Sequence, residues 1–259
     1  MAESRPDFDA LVRVVGRLRG EGGCPWDRAQ TPQTLRPYVL EEAYEVLDAI
    51  DRADSTELRK ELGDVLFQIV LLAQMADEAG WFTIDDVVQG IHDKMVVRHP
   101  HVFDPNHVDN GDEGAVDAWE ARKARDRAPG QSALDGVPQA LPALLRAHRI
   151  SEKAGRVGFD WPHLEGVRAK VAEELGELDE AMDGNDPDRV TEEFGDLLFA
   201  LVNLGRHLPV GSEEALRGAT TKFETRFRSL ERSLESEGLT IYDVSLDDLE
   251  ARWQAAKQC

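Results

Sequence analysis

The chain has 259 residues, room for one large or two small domains with real cores. Its 51 acidic against 30 basic residues leave a net charge of -21. That balance excludes a general nucleic-acid binder, whose affinity rests on basic surface, and two distant cysteines, Cys24 and Cys259, point to a reduced, cytoplasmic setting.

Met1 to Asp7 carries no basic region followed by an apolar run, so no signal peptide is expected. Phe8, Leu11, Val12, Val15 and Leu18 space a first amphipathic helix, stopped by Gly20-Glu21-Gly22-Gly23. Cys24-Pro25-Trp26-Asp27 reads as a loop with a packed thiol, since no partner supports nucleophilic chemistry. Thr31-Pro32 opens a second helix whose buried stripe is Leu35, Val39, Ala43, Val46, Leu47 and Ile50. Asp54 and Glu57 read as a capping pair for the next, with a core face of Leu58, Leu62, Val65, Ile69 and Leu72. Its apolar run, Val65 to Ala73, is interrupted by Gln68 and too short to span a bilayer. Gly80 ends it. Thr83 and Asp86 open a helix carrying Lys94 and Arg98, closed by Pro100, with His99-Pro100-His101 as a loop. A short helix then holds Trp119 and Lys123.

Residues 128–133 form the expected linker between domains at 1–127 and 134–259. Leu144, Leu145, Ala147 and Ile150 space the first helix of the second half. Val167, Val171, Leu175, Leu178 and Met182 give the next its apolar face. Gly184-Asn185-Asp186-Pro187 is a turn, with Asp186 as N-cap and Pro187 at the first helical position. Val190, Phe194, Leu197, Leu198 and Leu201 follow on its far side. Ser212 caps a long helix to about Glu235 that carries Lys222 and Arg226. Ser245 and Asp248 cap a last helix with Trp253 and Lys257. No alternation typical of strands appears, so the class is all-α.

The hairpin across that turn carries the chemistry. Glu173, Glu174 and Glu177 on one helix, and Glu193 and Asp196 on the other, sit among apolar positions. Residues three apart lie about 60° apart on one helix face, so both helices turn carboxylates toward one seam. Acids facing a core are tolerable only with a neutralising cation, and hard oxygen donors select Mg²⁺ or Mn²⁺. Subtracting 132 from these numbers recovers the pattern: Glu41, Glu42, Glu45, Glu61 and Asp64, with Asp54 in place of Asp186. This is an internal duplication into two homologous domains. Each half then continues to Lys-x-x-x-Arg and Trp-x-x-x-Lys, cations for phosphate oxygens and a flat face for a base. No P-loop motif is present, and no Glu-x-x-His as in di-iron bundles.

At these residues the sequence resembles the MazG-type, all-α nucleoside triphosphate pyrophosphohydrolases. Cys24-Pro25-Trp26-Asp27, Arg98-His99-Pro100-His101-Val102-Phe103, Val157-Gly158-Phe159-Asp160-Trp161 and Gly195-Asp196-Leu197-Leu198-Phe199-Ala200 extend the resemblance over nearly the whole chain. It implies Mg²⁺-dependent cleavage of NTPs and dNTPs to monophosphate and pyrophosphate by a helical homodimer. It implies metal ligation by Glu174, Glu177, Glu193 and Asp196. It implies nucleotide contacts from Lys170, Glu173, Arg189, Glu192, Lys222, Arg226, Trp253 and Lys257. Glu173 and Glu192, adjoining those ligands, are the candidate bases. The first half offers a second, weaker site from Glu41, Glu42, Glu45, Glu61, Asp64, Lys94, Arg98, Trp119 and Lys123.

Within the repeat, Lys170 meets Tyr38, Arg189 meets Glu57 and Glu192 meets Lys60. The second half therefore keeps two extra cations where a triphosphate needs them, and is expected to be the main catalyst. The rival from another class is a non-catalytic helical protein with acidic docking faces.

Overall fold

The computed structural model describes residues 6–104 and 130–257. The chain divides into two compact units, Met1–Lys123 and Ala124–Cys259. All regular structure among the described residues is helical, and no helix there is long and apolar enough to cross a membrane. The first unit contains α1 (Phe8–Arg19), α2 (Pro25–Ala29), α3 (Pro32–Asp51), α4 (Ser55–Glu78), α5 (Ile84–Arg98) and α6 (Pro100–Phe103). The second contains α7 (Ala143–Arg156), α8 (Leu164–Asp183), α9 (Pro187–His207), α10 (Ser212–Glu235) and α11 (Leu246–Ala256).

Local chemistry sets the ends. Thr31 and Thr34 form a capping box on α3, and Thr83 with Asp86 another on α5. Asp54 accepts from the backbone N–H of Thr56 and Glu57 to start α4. Asp186 does the same for α9 through Arg189 N–H, with Pro187 in the first turn. Gly80, at φ +69°, takes the left-handed position that ends α4. The residues before the two hairpin caps, Ala53 and Asn185, are both left-handed, at φ 52° and 49°. Asparagine suits that conformation better than alanine.

Three local expectations change. Cys24-Pro25-Trp26-Asp27 is not a plain loop, because Pro25 opens the one-turn α2. His99-Pro100-His101 likewise runs into the short α6. Gly211, not Ser212, is the N-cap of α10.

In each unit two long helices form an antiparallel hairpin, α3 on α4 and α8 on α9. In the first unit, α1 and α5 pack on α4, around Val15, Leu35, Val70, Leu71 and Met75. In the second, α7 and α10 pack on α9, and α11 packs on α10. The buried stripe of α4 is Glu61, Gln68, Leu71 and Met75, one position behind the expected Leu62 and Ile69, which are exposed. The same correction holds elsewhere: Val39, Leu47 and Ile50 on α3, Leu175 and Met182 on α8, and Phe194, Leu198 and Leu201 on α9 are exposed. The physical reason is that each apolar stripe is wider than one hairpin partner covers. The open part repeats at the 132 offset: Leu62, Leu66 and Ile69 on α4 match Phe194, Leu198 and Leu201 on α9.

Arginine clasps fix the turns ahead of the hairpins. Arg19 forks onto Glu78 and also donates to the backbone carbonyl of Asp27. In the second unit Arg206 donates to Asp160 at 2.5 Å, with His207 Nε2 3.0 Å from the same oxygen. The Arg206 hydrogen bond holds the Asp160 carboxyl below the ordinary aspartate value of 3.8. A depressed carboxylate contributes stability that is present above the unfolded pKa and lost as pH falls through the folded one. Asp160→Asn is therefore expected to cost about 1 kcal/mol of unfolding free energy at pH 7. That deficit closes as pH is lowered below 3.8, measurable by denaturant unfolding of both proteins.

Candidate active site

The hairpins bring three carboxylates together in each unit. Glu42 and Glu45 of α3 meet Glu61 of α4, and Glu174 and Glu177 of α8 meet Glu193 of α9. One oxygen from each member of a trio lies within 4.8 Å of the others. Glu61 is 2 % exposed and Glu174 6 %, although water solvates a carboxylate far better than a helix interface does. Glu41 and Glu173, which precede Glu42 and Glu174 in sequence, are exposed instead. Asp64 is half-buried and close enough to raise the Glu42 pKa, while Asp196 is exposed and outside the trio.

Cations answer part of this charge, differently in the two units. Lys170 Nζ lies 2.8 Å from both Glu173 Oε1 and Glu174 Oε1. Arg189 Nε donates to Glu193 Oε1 at 3.4 Å. In the first unit Lys60 Nζ donates to Glu57 and Glu61, each at 2.9 Å. The buried acid and its lysine thus change helix between the units: α8 in the second, α4 in the first.

The remaining charge shows in the titration of the trios. Glu177 is raised above the ordinary glutamate value, first by desolvation and then by repulsion from Glu193 and Glu174. Glu42 is raised by desolvation, then by Asp64 and Glu61. Glu45 is raised first by its hydrogen bond with Glu61, while Lys60 lowers Glu61. Lys60 and Lys170 are both pushed upward by their glutamates. Glu61 Oε2 is buried and has no donor among the described residues. Three converging carboxylates with such an atom fit a hard divalent cation, which prefers oxygen donors.

The other expected contacts come from the next helices: Lys222 and Arg226 lie on α10, which packs on Glu193-bearing α9 but not on α8, and Trp253 lies on α11 with Lys257 just after it. There Phe223 approaches Trp253 at 5.0 Å between centroids and stacks with Phe227 at 6.0 Å. Lys257 Nζ sits 6.0 Å above the Trp253 ring. Phe223 was not among the expected residues; its signal was the aromatic pair four apart beside Lys222. Glu192 is exposed on α9. Lys94 is exposed on α5 and Arg98 half-buried at its end, while Trp119 and Lys123 lie outside the described residues.

Tandem acidic hairpins in an all-helical chain, each closing a carboxylate trio around pinned cations, define the class. The model of the MazG nucleotide pyrophosphohydrolase domain matches the chain twice, over residues 30–103 and 163–230, once on each hairpin. A nucleoside triphosphate pyrophosphohydrolase of Escherichia coli is 48% identical over 256 residues, 97% of each chain. A nucleoside triphosphate pyrophosphohydrolase/pyrophosphatase of Thermotoga maritima is 44% identical over 99% of this chain and 98% of its own. An uncharacterized Bacillus subtilis protein, YabN, is 42% identical over 97% of this chain and 52% of its own. The chain belongs to the MazG nucleotide pyrophosphohydrolase family.

Proposed function

We propose that this enzyme hydrolyses nucleoside triphosphates, ribo and deoxyribo, to the monophosphate and pyrophosphate with Mg²⁺, mainly in its second unit. One observation carries the reading: the Glu174–Glu177–Glu193 trio, with Lys170 on one edge and Arg189 on the other. Acids alone would repel a triphosphate; acids with a divalent ion and two cations attract it.

Glu174, Glu177 and Glu193 would hold the ion, with Asp196 of α9 as the fourth ligand that the resemblance implies. Bound there, Mg²⁺ supplies charge neutralisation at the phosphate oxygens. Lys170 and Arg189 turn from their glutamates to phosphate oxygens. Glu173 or Glu192 takes a proton from the attacking water, and Glu173 does so only once Lys170 has left it. The water oxygen bonds to the α-phosphorus. The bond from that phosphorus to the bridging oxygen breaks, and its electron pair leaves with pyrophosphate. Lys222, Arg226 and Lys257 take remaining charge, and Trp253, braced by Phe223, offers the base a flat face.

The first unit, with Glu41, Glu42, Glu45, Glu61, Asp64, Lys94 and Arg98, is a weaker or regulatory second site. Homodimerisation is supported by the open apolar stripes, and a cytoplasmic setting by the free thiol of Cys24.

Hydrolysis in ¹⁸O-labelled water tests the reaction. With Mg²⁺ and a dNTP or NTP panel, the label is expected in the monophosphate, with unlabelled pyrophosphate. Label in pyrophosphate, release of orthophosphate as first product, or no turnover overturns the reading; the last favours a docking protein.

A further inference from the structure

The two trios hold unequal charge, and the difference concerns the protein before substrate arrives. In the second unit two of the three acids already have a cation: Lys170 on Glu174 at 2.8 Å and Arg189 on Glu193 at 3.4 Å. In the first unit, among the described residues, Lys60 alone serves, at 2.9 Å from Glu61 Oε1. The counterparts of Lys170 and Arg189 there are Tyr38 and Glu57, neutral and acidic. Lys60 takes one oxygen of Glu61 and leaves Oε2 buried with no donor among the described residues, in a side chain 3% exposed. A buried carboxylate oxygen with nothing to accept from is costly unless a cation or proton meets it.

We infer that the first unit is the standing divalent-cation site of the nucleotide-free protein, held by Glu42, Glu45 and Glu61, whereas the second unit takes its ion only together with a triphosphate. This rests on the reading that these trios bind divalent ions, and adds which fills first and why. One further negative charge beside a divalent ion a few ångströms away is worth about tenfold in affinity even with water-like screening. The standing ion completes Glu61 and pins α3 to α4. In the second unit Lys170 and Arg189 hold the place until phosphate oxygens draw them off and free the acids. The first unit is thereby a sensor of free divalent ion, and the second is gated by substrate.

Mn²⁺ binding to the full chain, read by the loss of free-ion EPR signal, tests this without turnover. Nucleotide-free wild type is expected to bind one Mn²⁺ per chain tightly. Glu193→Gln keeps that site, and Glu61→Gln weakens it at least about tenfold. Because Glu61 is buried, the more exposed Glu45→Gln serves as second variant, with the same expected loss. A tight site that survives both first-unit variants and vanishes in Glu193→Gln overturns the inference, as does a wild type with two equal sites or none. Adding a non-hydrolysable dNTP analogue should bring a second Mn²⁺ per chain, absent in Glu193→Gln. If that second ion never appears, the proposed catalytic site fails, whatever the first unit does.

Discussion

Glu193→Gln is expected to lower kcat for pyrophosphate release by about a thousandfold, while Glu61→Gln leaves it within a few-fold, a contrast of about 4 kcal/mol in barrier. The two residues occupy the same place in the repeat and both sit in a carboxylate trio. What separates them is the company. Glu193 faces Arg189 from within α9 and the Lys170-bearing acid from α8. Glu61 is bound by Lys60, and no second cation pairs with its trio among the described residues. Converting Glu193 to an amide keeps the shape, removes the charge proposed to bind metal and leaves Glu180, at 3.8 Å, as the acidic partner of Arg189 among the described residues. Glu180→Gln is the internal control, because that exposed carboxylate touches Arg189 outside the trio; its effect should be small. Circular dichroism on each variant separates lost chemistry from lost fold. Loss of activity in Glu61→Gln alone refutes the assignment of catalysis to the second unit.

Much of this architecture was readable because it rests on short-range chemistry. The hairpin turn uses a left-handed residue and a capping acid in sequence, and Asn185-Asp186 provides them, with Pro187 favouring the first helical position. The repeat doubled every weak signal, so that Glu42, Glu45 and Glu61 could be matched to Glu174, Glu177 and Glu193 by numbering alone. Direction was harder to read. On α4 an apolar stripe through Leu62, Leu66 and Ile69 competes with one through Glu61, Gln68, Leu71 and Met75, offset by one residue. Hydrophobicity favours the first, yet the fold buries the second. Periodicity reports how wide an apolar face is, not which neighbour covers which part of it. The same limit explains Asp196: spacing places it near Glu193, but three positions on it is turned about 60° around the helix, which leaves it exposed where Glu193 is half-buried. Helices α2 and α6 are too short to show a period at all. Two of the cation pairs follow i,i+4 spacing, Lys170 with Glu174 and Arg189 with Glu193, whereas Lys60 meets Glu61, its neighbour in sequence, which no helical spacing announces.

The uncovered stripe itself gives the second large effect. Leu198→Asp combined with Leu201→Asp is expected to turn the proposed dimer of 28.8 kDa chains into monomers at micromolar concentration, and to take most of the activity with it. Both leucines are exposed in one chain, at 39% and 44%, on the helix that carries Glu193. Full burial of a leucine is worth about 1.5–3 kcal/mol, so covering the exposed part of each is worth about 1 kcal/mol. In a two-fold dimer every substitution is felt twice, once per copy. A carboxylate forced into such an interface adds the cost of an unpaired buried charge. Dissociation stronger than a thousandfold is therefore expected, visible by light scattering coupled to size exclusion. Tyr242→Asp, at a position 89% exposed and off the stripe, should change neither mass nor rate. Activity should fall with the dimer because the stripe runs along α9, the same helix that carries Glu193. A double variant that stays dimeric, or a monomer with full turnover, removes the stripe from the account of function and leaves the active site to a single chain.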